Sequence, residues 1–223
     1  MTSFRKLALA AASISAFAVP AQAAVITLDF EGLSDLEAVG NFYDGGMGTN
    51  YGVSFSADAL AIIDEDAGGT GNFANEPSAS TVMFFLSGST PILNYAAGFD
   101  TGFSFFYSSS TAATVSVYDG LDGTGNLLGS INLIAQFNDN CAGDPQGNYC
   151  NWTNIGVAFG GTARSINFGG TPDETGFDNI TFGSAVAGGA VPEPTTWAMM
   201  IGGFGAIGGA MRMRRRKVSV RFA

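Results

Sequence analysis

Apolar and polar residues alternate along the middle of the chain, with short breaks rich in glycine, asparagine, aspartate and serine. Alternation with a period of two predicts β-strands that bury one face and leave the other in solvent. Such one-sided burial is typical of antiparallel sheets. The clearest apolar positions of this kind are Val53 and Phe55, then Phe103, Phe105 and Tyr107, then Val115 and Val117, then Ile155, Val157 and Phe159, and finally Ile166 and Phe168.

One pair of these segments predicts a hairpin. Residues 115–118 and 127–133 flank residues 119–126, whose two Asp-Gly pairs tolerate the positive φ angles of a tight connection. No segment of the middle region has the pattern of an amphipathic helix with caps. About ten short strands in one domain, residues 24–184, predict an all-β fold: an antiparallel two-sheet sandwich of the jelly-roll type.

The first 23 residues have the organisation of a secretory signal peptide. Arg5 and Lys6 precede an apolar run from Leu7 to Val19, and the small residues up to Ala23 fit a signal peptidase site. We therefore expect cleavage between Ala23 and Ala24, and an exported mature chain.

The C-terminal end predicts a single membrane-spanning helix. Residues 195–211 carry no charge and are just long enough to cross a hydrocarbon core, and a basic cluster, residues 212–217, follows. Basic residues mark the cytoplasmic side, which leaves residues 218–223 as a short cytoplasmic tail. The small residues 185–191 predict a flexible linker between domain and anchor.

The charge balance of the domain excludes several classes of function. Between the two ends lie eighteen acidic residues and one basic residue, Arg164, so the domain has a net charge near −17 and is expected to repel nucleic acid. The chain contains no histidine, and the domain contains no lysine. Catalytic triads, Schiff-base lysines and histidine-ligated zinc are therefore excluded. Carboxylate chemistry and calcium binding remain.

The two cysteines predict a disulfide. Cys141 and Cys150 flank a turn-rich loop in an exported chain, and such a pair is usually oxidised. No basic residue lies near them in the sequence to lower a thiol pKa, which argues against a redox-active pair.

The C-terminal segment closely resembles the PEP-CTERM sorting signal of Gram-negative bacteria. The matching residues are Pro192, Glu193, Pro194, Trp197, Ala198, Met199 and Met200, followed by the apolar glycine-rich run and the arginines. The resemblance implies processing by an exosortase after export across the cytoplasmic membrane. It also implies a destination at the cell surface or in an exopolysaccharide or biofilm matrix. The extension Val218 to Ala223 is longer than in many family members.

The domain also resembles jelly-roll carbohydrate-binding modules and lectin-like domains, more loosely, through residues 28–33 and 176–182. In those folds the terminal strands meet, and an acid from each often holds a structural calcium ion. The resemblance therefore implies Glu31 and Asp178 as calcium ligands, with Asp29 on the same strand face as Glu31.

Three functions remain open from the sequence. The first is a non-catalytic matrix or surface protein that binds extracellular polysaccharide through exposed aromatic residues such as Tyr43, Tyr51 and Trp152. The second is a glycosidase, which needs two carboxylates, or a polysaccharide lyase. A lyase usually needs a basic residue, and Arg164 is the only one in the domain. The third is a purely structural coat or adhesive subunit.

Overall fold

The computed structural model describes residues 25–88, 90–138, 141–144, 146–187 and 203–205. Eleven strands lie in the described part of the chain, and a single 3₁₀ turn, Glu65–Ala67, interrupts them. The strands are β1 Ile26–Leu28, β2 Val53–Phe55, β3 Leu60–Ile63, β4 Thr81–Phe84, β5 Ile92–Phe99, β6 Gly102–Ser109, β7 Ala113–Tyr118, β8 Leu127–Leu133, β9 Thr153–Ala158, β10 Ala163–Phe168 and β11 Thr175–Phe182.

The strands form two antiparallel sheets, so the predicted all-β sandwich is confirmed. The six-stranded sheet has the order β3-β4-β11-β6-β9, with β1 also paired to β11. The five-stranded sheet has the order β2-β5-β10-β7-β8. The predicted hairpin is β7–β8, in which Tyr118 lies opposite Leu127.

Phenylalanine rings fill the space between the two sheets. Phe103 and Phe105 of β6 are fully buried, and both contact Phe168 of β10 across the sandwich. Phe168 and Phe177 of β11 approach with ring centroids 5.0 Å apart. Edge-to-face pairs of this kind add to the free energy gained from burying the rings.

Most of the two terminal segments of the chain lies outside the described residues. Residues 1–24, which contain the predicted signal peptide and cleavage site, lie outside the described residues, as do residues 188–202 and 206–223. After β11, the chain stays packed against the six-stranded sheet as far as Ala187, whose N–H donates to Asn154 Oδ1 (3.1 Å). No helix among the described residues is long and apolar enough to cross a membrane; the predicted span, residues 195–211, lies outside them except for 203–205.

Candidate functional site

Two short strands share one edge of β11, and an acidic group lies where they meet. β4 pairs with β11 at Phe177, and β1 pairs with it from Ile180 onward. Between these two points β11 contains a bulge after Asp178, and Asn179 has a positive φ of 48°. The bulge interrupts the ladder and leaves the Asp178 side chain at the junction of β1, β4 and β11.

Glu31 and Asp178 are brought together at this junction by Ser78. The Ser78 hydroxyl lies 2.9 Å from Asp178 Oδ1 and 3.3 Å from Glu31 Oε1, and its N–H donates to Asp178 Oδ2 (2.7 Å). The N–H groups of Ser80 and Thr81 donate to Glu31 Oε1, both at 2.9 Å. The expected meeting of the two acids therefore occurs, and the segment just before β4 holds them.

Sequence reasoning missed this segment. Ser78 lies 47 residues from Glu31 and 100 residues from Asp178 along the chain. Nothing in the run Ser-Ala-Ser-Thr distinguishes it from other polar loops, so no sequence signal identified it as the segment that joins the two carboxylates.

Burial dominates the electrostatics of the junction. Asp178 is fully buried, and burial raises its pKa to about 7, against the lowering effect of the hydrogen bonds from Ser78 and Asn179. The neighbouring Glu31 carboxylate raises that pKa further. An acid with this pKa carries its proton for part of the physiological range.

Asp29 lies next to the junction and contributes to it mainly through its backbone. Its side chain is exposed and accepts the Glu31 N–H at 3.3 Å, while its carbonyl oxygen lies 3.3 Å from the Ser78 hydroxyl. Among the described residues, no group of three or more acidic or cysteine side chains is arranged to hold a metal ion.

The oxygens around Ser78 are of the type that calcium prefers: two carboxylates, one hydroxyl and the Asp29 carbonyl. Calcium here would have to bind beside N–H donors that already contact both carboxylates. Binding would also require the proton to leave Asp178. The calcium site therefore stays a prediction, and it can be tested.

We expect millimolar calcium at pH 8 to raise the melting temperature by roughly 5–10 °C, the shift for a hundredfold excess over Kd. In differential scanning calorimetry, calcium should raise the melting temperature more than sodium chloride does at matched ionic strength. The sodium control is needed because any salt screens the repulsion within so acidic a domain. Glu31→Gln should remove the excess, whereas Asp44→Asn, at an exposed acid, should retain it. Equal calcium shifts in both variants would contradict the site.

A second feature is a cleft between the end of β1 and the loop before β2, which we call the Tyr51 cleft. Its volume is about 450 Å³, within the usual range for small-molecule sites. Tyr51 and Phe42 supply half-buried rings, and Met47 is almost fully exposed. Its complete lining is Thr27, Asp29, Glu31, Gly32, Phe42, Tyr43, Met47, Gly48, Thr49 and Tyr51.

The prediction that Tyr43 is exposed is wrong, although it does reach the cleft. Tyr43 is 3% exposed and packs in the core against Phe30 at a ring-centroid distance of 6.0 Å. Its hydroxyl accepts the N–H of Phe30 (2.7 Å), and burial raises its pKa above the usual tyrosine range. Tyr51 stacks on it with centroids 6.2 Å apart, so Tyr43 supports the ring that faces the cleft.

Trp152 lies elsewhere, over the outer face of the six-stranded sheet. It is half-buried, its indole N–H donates to the carbonyl of Ala74 (3.1 Å), and its ring meets Phe73 edge to face. A Cβ at Gly176 would lie 3.1 Å from the indole ring, so the absence of a side chain on β11 lets Trp152 lie close to the sheet.

The predicted disulfide holds the loop next to Trp152. Cys141 and Cys150 are bonded, with Cα atoms 5.7 Å apart. Tyr149, beside Cys150, forms a parallel bridge with Phe73, which connects the loop to the segment under Trp152. Closing a loop of this length contributes roughly 2–3 kcal/mol by chain-entropy estimates.

Two features bear on catalysis. Asp64 and Glu76 interact with each other, and burial is the main cause that raises the pKa of each. Arg164, the residue considered for a lyase, is exposed on β10 and does not line the Tyr51 cleft.

Several solved structures are similar to this chain at low identity. A carbohydrate-binding module of the Cellvibrio mixtus lichenase 5A, in complex with cellotriose, is 13% identical, with a TM-score of 0.35 and coverage of 55% of this chain and 94% of that one. A family 11 carbohydrate-binding module from Clostridium thermocellum is 13% identical, with a TM-score of 0.31 and coverage of 71% and 94%.

A glycoside hydrolase family 43 arabinoxylan arabinofuranohydrolase from Bacillus subtilis is 18% identical, with a TM-score of 0.37; 58% of this chain matches only 25% of that one. No curated protein matches the chain in sequence.

The C-terminal segment has a direct match. The model of the PEP-CTERM protein-sorting motif matches residues 190–216, which include the Pro-Glu-Pro triplet, the apolar run and most of the basic cluster. This agrees with the resemblance found from the residues themselves. The chain therefore carries a PEP-CTERM sorting motif behind an antiparallel β-sandwich.

Proposed function

We propose that this chain is an exported, non-catalytic surface protein that binds neutral glycan in the Tyr51 cleft. Its route would begin with signal peptidase and end with exosortase processing near residues 192–194. Its destination would be the surface or exopolysaccharide matrix of a Gram-negative cell. The PEP-CTERM motif supports the sorting to the surface, and the cleft supports the binding.

The observation that carries the binding proposal is the composition of the cleft. Two half-buried aromatic rings, an exposed methionine and several hydroxyl and carboxylate groups line one opening of about 450 Å³. Sugar rings present apolar C–H faces that stack on aromatic side chains, and their hydroxyls bond to oxygen groups nearby. Tyr51 can stack, and Thr27, Thr49 and Asp29 can accept or donate hydrogen bonds.

The charge of the cleft selects the class of glycan. Asp29 and Glu31 lie in its lining, and the domain has a net charge near −17. Uronic acids, sulfated sugars and phosphate groups would be repelled, because no basic residue lines the cleft. Neutral hexose or pentose polymers fit this electrostatic environment.

Replacing Tyr51 by alanine should weaken binding of a neutral polysaccharide about tenfold, because the stacked ring is lost. Affinity electrophoresis in gels that contain neutral glucan, mannan or xylan measures this effect. Tyr118→Ala, at a half-buried tyrosine on β7 outside the cleft, is the matched control and should not change mobility.

Three results would contradict this proposal. Equal retardation of the Tyr51→Ala and Tyr118→Ala variants would contradict the cleft, and no retardation of the wild-type chain in any gel would favour a purely structural coat protein. Release of reducing ends, or of unsaturated products, from the same polysaccharides would show that the chain is an enzyme.

A further inference from the structure

The segment that leaves β11 turns back over the outer face of the six-stranded sheet. Gly183 makes the turn with a positive φ of 79°. Its N–H donates to the carbonyl of Gly102 (3.0 Å), and its carbonyl accepts from the hydroxyl of Thr101 (2.9 Å). Residues 184–187, which we call the strap, then cross β6 towards β9, the edge strand of the sheet. The strap therefore keeps the chain on the domain as far as Ala187.

Asn154 of β9 binds the end of the strap as a neighbouring strand would. Its side-chain N–H donates to the carbonyl of Ala187 (3.0 Å), and its Oδ1 accepts the N–H of the same residue (3.1 Å). The amide thus satisfies both backbone groups of one residue, as the partner residue does in an antiparallel ladder. Ser104 of β6 donates to the carbonyl of Ser184 (2.8 Å), which holds the other end. Ala187 is only 6% exposed as a result.

Two glycines make room for the strap. A Cβ at Gly102 would lie 2.7 Å from the nitrogen of Ala185, and its three nearest atoms all belong to the strap. A Cβ at Gly156 would lie 2.2 Å from the carbonyl oxygen of Ala185. Neither glycine has a positive φ, so the backbone itself does not require glycine at these positions. The close approach of the strap accounts for the glycine at position 102.

The bound strap places the sorting motif close to the domain. Four residues separate Ala187 from Pro192, where the Pro-Glu-Pro triplet begins. Fully extended, the chain from Ala187 to Pro192 reaches roughly 17 Å. Released as far back as Gly183, it reaches roughly 30 Å. The strap therefore sets how far the motif can extend from the domain.

Reach matters because of the charge of the domain. Its net charge is near −17, and the surface of a membrane that contains anionic lipids repels such a domain. An enzyme in that membrane must bind the chain in extended form around residues 192–194, and extended binding needs backbone groups that nothing else holds. A short tether leaves the repelled domain beside the enzyme, whereas a longer tether separates them.

We infer that the strap limits exosortase processing, and that Asn154 is the positioning residue that controls it. While Asn154 binds Ala187, the motif lies too close to the acidic domain for the enzyme. Once the strap is released, the motif has the reach it needs. The rate of processing then follows the fraction of chains whose strap is released. This control rests on the exosortase route of the proposed function and is independent of glycan binding.

Pulse–chase labelling of the full-length chain, in a strain that expresses its exosortase, tests the control. Asn154→Ala removes both bonds to Ala187, and Gly102→Ala displaces the strap sterically. We expect each variant to be converted to the processed form at least about fivefold faster, because the lost contacts shift the equilibrium towards the released strap. The matched controls should keep the wild-type rate: Asn132→Ala, at an exposed asparagine on the edge strand β8, and Gly160→Ala, where a Cβ would meet nothing within 4 Å.

A flexible spacer separates the effect of reach from any loss of stability. About eight glycine and serine residues inserted after Ala187 lengthen the tether while the strap stays bound. This chain should be processed as fast as Asn154→Ala, although its domain is unchanged. Asn154→Ala should add nothing further in the chain that carries the spacer.

Hydrogen exchange of the purified full-length chain in detergent, followed by mass spectrometry, measures the strap directly. The Ala187 amide should exchange at least about fivefold faster in Asn154→Ala than in the wild type or in Asn132→Ala. Unchanged exchange in Asn154→Ala, or equal processing rates of the wild type, Asn154→Ala and the spacer chain, would overturn the inference and leave the exosortase route intact. A wild-type precursor that is never converted would contradict the route itself, and the control by the strap with it.

Discussion

Phe105→Ala is expected to destabilise the domain by about 3–5 kcal/mol, the usual cost of deleting a fully buried phenylalanine ring. Phe105 lies between the sheets, with ring contacts to Phe168 of the opposite sheet and to Phe177 of the neighbouring strand. Its removal leaves a cavity that both sheets border. Because two antiparallel sheets with many long-range pairings cannot collapse freely around such a gap, little of the loss should be recovered.

The adjacent residue provides the control. Phe106 is half-buried on the outer face of β6, so Phe106→Ala changes the same strand without opening the core. Urea unfolding at constant pH should give a much smaller loss for Phe106→Ala, below about 2 kcal/mol. Losses of equal size in the two variants would mean that the sandwich interior is not where the sequence pattern and the structure place it.

These two residues also indicate why the strands could be predicted. In β6 the apolar residues Phe103, Phe105 and Tyr107 recur at every second position, and this spacing identifies the strand and the face that points into the sandwich. The other face was expected in solvent but is covered as well, since Ser104 and Ser108 are fully buried. The short strand β1 carries no such signal. β1 has three residues, and it exists because β11 offers it an edge beyond β4.

The candidate sites, too, could be predicted from the sequence only in part. The meeting of Glu31 and Asp178 followed from the resemblance of the two terminal strands to a known arrangement. The bulge at Asp178 and the hydrogen bonds from Ser78 depend on contacts between distant segments, which no local pattern encodes. Tyr43 was expected to be exposed, but its hydroxyl accepts a hydrogen bond from the buried backbone N–H of Phe30.

Stability should fall as the pH rises from about 4 to about 7, and Asp178 is the principal cause. The pKa of Asp178 is about 7 in the folded domain, against an ordinary value of 3.8. Between these values the folded state binds more protons than the unfolded state, so proton linkage stabilises the folded state at low pH and this contribution is lost as the pH increases. The stabilisation from this group is complete below pH 4 and absent above about pH 7. For a fully buried carboxyl group the difference reaches about 4 kcal/mol.

Asp178→Asn should flatten this slope, and urea unfolding between pH 4 and pH 8 in the presence of a calcium chelator measures it. The amide also loses a hydrogen bond from a backbone N–H, because both Asp178 oxygens accept from such donors. That loss is the same at every pH, so it lowers the free energy of unfolding by a constant amount and does not change its slope against pH. Asp44→Asn, at an exposed acid, should keep the slope of the wild-type domain. A wild-type slope in Asp178→Asn would mean that Asp178 keeps its charge in the folded domain throughout this range, held by the N–H groups of Ser78 and Asn179.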